Sequence, residues 1–111
     1  MILICTRTCS TCRDAVALLK EAGAAFTYRE YTQDPLSEAE IRDVLAKLGL
    51  GVKDVLRKKD AVKAGFSGEE DDDTLIAAMA QHPRMLQRPI GLKDGRAELG
   101  RPPANLLRLL S

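Results

Sequence analysis

Apolar residues open the chain without a break from Met1 to Cys5, a β-compatible run that predicts a short buried strand. From Thr11 to Ala22 the apolar positions Ala15, Val16, Leu18, Leu19 and Ala22 recur at helical spacing, and Gly23 follows as a stop. Phe26 to Tyr31 alternates aromatic with polar residues and predicts a second strand. The first unit is therefore strand–helix–strand. Such a unit normally makes a right-handed crossover between parallel strands.

Further along, Ser37-Glu38-Ala39-Glu40 is a capping box with Pro35 just before it. Ile41, Val44, Leu45 and Leu48 then form one apolar face, and Gly49 ends the helix. Gly51 to Gly65 reads as one or two short helical turns around Val52, Val55, Leu56, Ala61 and Val62. The acidic run Glu69 to Asp73 precedes Leu75, Ile76 and Met79; negative charge suits a helix N-terminus, so a further helix is predicted there. Arg88-Pro89-Ile90-Gly91-Leu92 and Arg96-Ala97-Glu98-Leu99 flank Lys93-Asp94-Gly95, the signal of a β-hairpin. Pro102 and Pro103 then open a last helix with Leu106, Leu107, Leu109 and Leu110 along its buried side. The pattern is that of an α/β fold without repeats or linkers.

The length of 111 residues fits a single domain, 1–111. Hydrophobic residues make up 45% and charged residues 30%, an ordinary globular composition. A net charge of +1 gives no ground for electrostatic capture of nucleic acid or a membrane surface. No apolar run is long enough to span a bilayer. The N-terminus lacks a basic region followed by an apolar stretch and a cleavage site, so a cytoplasmic location is expected.

All three cysteines fall within the first 12 residues. A secreted disulfide framework spreads its cysteines to staple distant loops, whereas an odd, local cluster points to redox chemistry or metal binding. Zinc as a rule takes four ligands; Cys5, Cys9 and Cys12 supply three, and His82 is the sole histidine. With no second Cys-X-X-Cys present, no metal is expected, and His82 in Gln81-His82-Pro83 reads as a loop or helix-end residue.

Cys9-Ser10-Thr11-Cys12 sits where the first strand meets the first helix. Unpaired N–H groups at a helix start favour a thiolate, and Arg13 adds positive charge one step further on. Two intervening residues let the second sulfur reach the first. Cys12, one turn into the helix, is expected to be the less exposed and less activated of the pair.

Four segments carry a resemblance over nearly the whole chain: Cys9-Ser10-Thr11-Cys12-Arg13, Leu56-Arg57-Lys58-Lys59, His82-Pro83-Arg84-Met85-Leu86-Gln87-Arg88-Pro89-Ile90, and Gly100-Arg101-Pro102. With them the chain resembles the glutaredoxin-coupled arsenate reductases and their relatives, the Spx-type redox regulators. The resemblance implies a thioredoxin-like fold, a four-stranded mixed sheet flanked by helices, with an all-helical insertion between the second and third strands. It implies that Pro89 is a cis-proline facing the active-site cysteine. Arg57, Arg88 and Arg101 match the three arginines that hold the oxyanion in the reductases, and Arg13 is placed with them on the substrate side. Guanidinium forks suit a phosphate-like tetrahedral anion because they bind its oxygens bidentately.

Two departures stand out. A hydroxyl residue usually occupies the place of Cys12, and a histidine thought to tune the cysteine is replaced by Cys5. Cys9 is thus expected to be the nucleophile and Cys12 the resolving thiol. No organic cofactor is implied; the reductant would be glutathione with glutaredoxin, or thioredoxin, acting on a monomer. The Cys-X-X-Cys is also typical of the Spx-type regulators, which leaves a second reading, a redox switch that docks on the RNA polymerase α-subunit.

Overall fold

The computed structural model describes residues 1–111, which pack as two compact units. The first joins Met1–Asp34 to Arg88–Ser111; the second is Pro35–Gln87.

In the first unit, strand β1 (Ile2–Cys5) leads into helix α1 (Ser10–Glu21) and strand β2 (Thr27–Glu30). The later stretch supplies β3 (Ile90–Lys93), β4 (Arg96–Leu99) and a 3-10 helix, Pro103–Leu110. The sheet order is β2-β1-β3-β4. β1 runs parallel to β2, with Ile2 opposite Thr27 and Cys5 opposite Glu30, and antiparallel to β3. β3 and β4 form the expected hairpin, and the positive φ of both Asp94 and Gly95 is what a two-residue turn with strand-like twist requires. This mixed sheet with its crossover helix is the thioredoxin-like arrangement.

Strand alternation puts Leu3 and Cys5 on one face of β1, and helical period puts Cys12, Ala15 and Leu19 on one face of α1. Together with Leu106 these residues form one buried cluster. Ile2, at the start of the predicted buried strand, is exposed.

The last helix departs from expectation. Leu106 and Leu109 are buried, but Leu107 is half-buried and Leu110 exposed. A 3-10 helix has three residues per turn, so positions i and i+3 eclipse and only one narrow stripe meets the sheet. Its final carbonyls are held from the hairpin: Arg96 donates to the oxygens of Arg108, Leu109 and Ser111 at 3.3, 2.9 and 3.2 Å.

Gly100 has to be small. A Cβ there would lie 2.7 Å from Pro89 Cγ and 3.0 Å from Leu106 Cδ1. Gly100→Ala should therefore destabilise the protein by about 1–3 kcal/mol through overpacking. Thermal denaturation checks this; a midpoint unchanged from wild type would contradict it.

The second unit is helical: α2 (Glu38–Leu48), a 3-10 turn at Val52–Val55, α3 (Lys58–Lys63), α4 (Asp72–Gln81) and a 3-10 turn at Pro83–Met85. The predicted capping box is formed, with Ser37 Oγ accepting from Glu40 N and Glu40 Oε1 accepting from Ser37 N. Gly49 closes α2 in the left-handed conformation (φ 68°). The acidic run does start α4, where Asp71 accepts from Thr74 N at 2.8 Å. Ile41, Val44, Val55, Ala61, Leu75, Ile76, Met79 and Met85 are buried, whereas Leu45 and Leu48 are half-buried and Val62 is exposed. Val62 sits in the six-residue α3, too short to bury more than one side of its turn. No helix of the protein is long and apolar enough to cross a membrane.

Candidate active site

Cys9 caps α1 with extended backbone (φ −99°, ψ 122°). Its N–H donates to Thr6 O at 3.2 Å and its carbonyl accepts from Arg13 N at 3.1 Å, so the sulfur stands where the first-turn N–H groups have no helical partners. Arg101 Nη2 donates to Cys9 Sγ at 3.8 Å, and its Nε donates to Arg88 O at 2.8 Å. Arg88 is itself only 7% exposed. Its Nη1 donates to the hydroxyl of the fully buried Tyr31 at 3.1 Å, and its guanidinium also bonds Cys9. Burial works against the Arg88 charge, but Tyr31 and Cys9 outweigh it and raise its pKa, so the guanidinium is held charged.

The Arg88–Pro89 bond is cis, and Pro89 O accepts from Gly100 N at 2.8 Å. Arg101–Pro102 is cis as well, a bond with no signal in the sequence motifs. Residues 92 positions apart in sequence thus meet at one sulfur.

Arg13 is placed differently from expectation. Its Nη1 donates to Arg7 O at 2.9 Å, tying down the loop before α1 instead of reaching Cys9. Adjacent in sequence to Cys12, Arg13 nevertheless projects from another side of the helix. Arg13 lines a groove of about 820 Å³ beside α1 and β2, together with Cys12, Val16, Lys20, Phe26 and Tyr28. Arg57 lies in the helical unit, where it precedes α3. There its Nε meets Asp60 Oδ2 at 2.8 Å, its Nη1 donates to Gln87 Oε1 at 2.9 Å, and its N–H donates to Met85 O at 2.7 Å. His82 ends α4 and stacks edge-on against Phe66 with ring centroids 6.0 Å apart. No group of three or more His, Cys, Asp or Glu is arranged to hold a metal ion.

All three thiols are free and buried. Cys12 is 1% exposed against 9% for Cys9, in line with its place one turn into the helix. It is nevertheless activated. Its pKa is lowered to about 6, first by a hydrogen bond from Cys5, against the opposing effect of burial, and then by the Thr6 N–H, Cys9 and Arg88. Cys5 is pushed the other way, far above the usual thiol range, by that same bond to Cys12 and by burial. Cys5 and Cys12 share one buried cluster, a proximity that is not among the sequence expectations. Two sequence signals pointed to it: the shared face of Leu3 and Cys5, and the i, i+3, i+7 stripe from Cys12.

A sulfur at a helix N-terminus beside two guanidinium groups, with a second sulfur one helical turn further on, offers chemistry suited to an electrophile that carries negatively charged oxygens. The ArsC family profile matches residues 5–109. An arsenate reductase of Neisseria meningitidis serogroup A is 38% identical over 106 residues, covering 92% of this chain and 91% of that protein. An uncharacterised protein of the glnII region of Streptomyces viridochromogenes is 44% identical over 100 residues, covering 84% of each. Among solved structures, an arsenate reductase from Vibrio cholerae superposes with a TM-score of 0.87 at 34% identity, over 97% of this chain and 95% of that one. With the profile spanning all but the ends of the chain and relatives matched over most of their length, the chain belongs to the ArsC family.

Proposed function

We propose that the protein is a thiol-dependent oxidoreductase of the arsenate reductase type. The observation that carries this reading is the pair of guanidinium groups at the Cys9 sulfur, Arg101 at 3.8 Å and the buried Arg88. A disulfide substrate has no need of two such groups, and a tetrahedral oxyanion does.

In the proposed cycle the Cys9 thiolate attacks arsenic and displaces one arsenate oxygen as water. Arg88 and Arg101 neutralise the remaining oxygens, with Arg57 as a third arginine on family grounds. The Cys12 thiolate then attacks the Cys9 sulfur. The sulfur–arsenic bond breaks with its electron pair on arsenic, arsenite leaves, and a Cys9–Cys12 disulfide remains. Thioredoxin, or glutathione with glutaredoxin, returns the two electrons. A cytoplasmic location is part of this proposal, since both reductant systems act there. The regulator reading rests on the Cys-X-X-Cys alone, and relatives named arsenate reductases favour the enzyme.

Arsenate reduction assayed in parallel with purified thioredoxin and glutaredoxin systems tests this. Turnover with at least one system is expected. Cys12→Ser should abolish turnover with thioredoxin and leave turnover supported by glutathione, since an external thiol can then resolve the Cys9 adduct. Inactivity with both systems, together with capture of the RNA polymerase α-subunit, would overturn the reading in favour of the regulator.

A further inference from the structure

The groove of about 820 Å³ beside α1 and β2 has no part in the proposed cycle. Cys12 stands in its wall, but Cys9, Arg88 and Arg101 do not, so it is separate from the anion site. Its floor is apolar: Val16, Ala24, Phe26 and Tyr28 are half-buried against the Leu3–Leu19–Leu106 cluster and keep their outer sides open. The chain has only two phenylalanines, two tyrosines and no tryptophan, yet Phe26 and Tyr28 both line this one groove.

The rim is cationic. Arg13, Val16 and Lys20 recur at i, i+3 and i+7 and so share one face of α1. The seven residues from Arg13 to Lys20 span about 10 Å of helix, which puts positive charge towards both ends of the apolar floor. Two of these cations are held in place. Arg13 Nη1 donates to Arg7 O at 2.9 Å, and the Arg7 guanidinium lies 5.6 Å from the centre of the Tyr28 ring. None of Arg7, Arg13 and Lys20 forms an ion pair, whereas Arg29, Arg42, Lys47 and Arg57 each have a carboxylate partner. No Asp or Glu lines the groove. The Glu30 carboxylate, which accepts from the Arg7 N–H at 2.9 Å and the Thr32 hydroxyl at 2.8 Å, is outside the wall. Tyr28 adds no negative charge, since burial above all holds its phenol neutral.

We propose that this groove is a binding site for a small aromatic acid, a planar apolar body carrying a carboxylate. The ring system covers Val16, Phe26 and Tyr28, and the carboxylate meets the guanidinium groups of Arg7 and Arg13. An apolar floor with a few convergent polar groups is the usual make-up of a small-molecule site, and this volume is in the usual range. Aromatic side chains favour a flat partner, because stacked and edge-on ring contacts add to the area buried. Cations without internal partners favour an anionic one, as no ion pair has to be broken for it to bind. The proposal is independent of the arsenate reading, for it uses none of the groups at the Cys9 sulfur.

The test is a nuclear magnetic resonance titration of the reduced, full-length, nitrogen-15-labelled chain at low salt. The probes are 2-naphthoate, its neutral analogue 2-naphthalenemethanol, and inorganic phosphate. Naphthoate should give saturable shifts at the amides of Val16, Ala24, Phe26 and Tyr28, with Kd below about 1 mM. The alcohol should bind at least about fivefold more weakly, and salt should weaken the acid but not the alcohol. The double variant Arg7→Ala/Lys20→Ala should raise Kd for naphthoate about tenfold or more, and Lys63→Glu, on α3, should leave it unchanged. If the double variant does not fold, Lys20→Glu alone, at an exposed position, takes its place and should raise Kd about threefold or more. Three results overturn the proposal: no saturable shift up to about 5 mM naphthoate, equal affinity for acid and alcohol, or displacement of naphthoate by phosphate with shifts centred on Cys9, Arg88 and Arg101. The last would place the acid in the anion site.

Discussion

Cys9→Ser is expected to reduce arsenate turnover to the uncatalysed background with either reductant system. An alcohol oxygen can, in principle, enter the coordination sphere of arsenic, but the cycle cannot continue from there. Arsenite departs only when a thiol, Cys12 or an external one, takes the position of arsenic on a sulfur atom, and oxygen forms no corresponding stable bond. The whole rate enhancement, about a million-fold or more for an enzyme of ordinary power, is lost with one atom. Anion binding should survive, because the arginines are held by groups other than the sulfur: Arg88 by Tyr31, and Arg101 by the Arg88 carbonyl. Isothermal titration with arsenate or phosphate separates the two effects. Residual turnover above roughly one per cent of wild type would assign the attack to Cys12 or Cys5.

Arg88→Ala should lower kcat/KM for arsenate by roughly a hundred- to a thousand-fold, the usual consequence of removing one buried donor from a developing oxyanion. Two losses coincide at this residue. The guanidinium no longer faces the anion, and the bond to the buried Tyr31 hydroxyl disappears, which costs about 1–3 kcal/mol of stability. Arg88→Lys distinguishes them. A lysine keeps the charge and loses the planar fork, so it should recover part of the anion affinity and little of the rate. Full activity of Arg88→Lys would show that charge alone suffices. Full activity of Arg88→Ala would remove Arg88 from the site.

Local patterns made much of the first unit readable. The apolar run, the helical spacing after Cys12, the aromatic alternation and the Asp94-Gly95 turn each state their element within a few residues, and the structure has all of them. The capping box at Ser37 and the acidic start of α4 were equally explicit. The pairing of Arg101 with Cys9 came from motif positions, since nothing within either segment signals the other. Three features had no local signal. The 3-10 winding of the last helix depends on its packing against the sheet, because four leucines in five positions fit several helical periods. The Tyr31 contact of Arg88 spans 57 positions. Arg13 follows Cys12 directly in sequence, yet the helix turns its side chain to the Arg7 carbonyl.

The order in which the chain is made adds a last consequence. The first unit is discontinuous in sequence, with the helical unit set between its two parts. During synthesis the three thiols emerge within the first 12 residues, while Arg88 and Arg101 emerge near the end. Until then β1 lacks β3, its antiparallel neighbour in the finished sheet, and Cys9 lacks both guanidinium groups. The anion site is therefore among the last contacts to close. A nascent chain therefore carries its reactive sulfurs before it carries the means to use them.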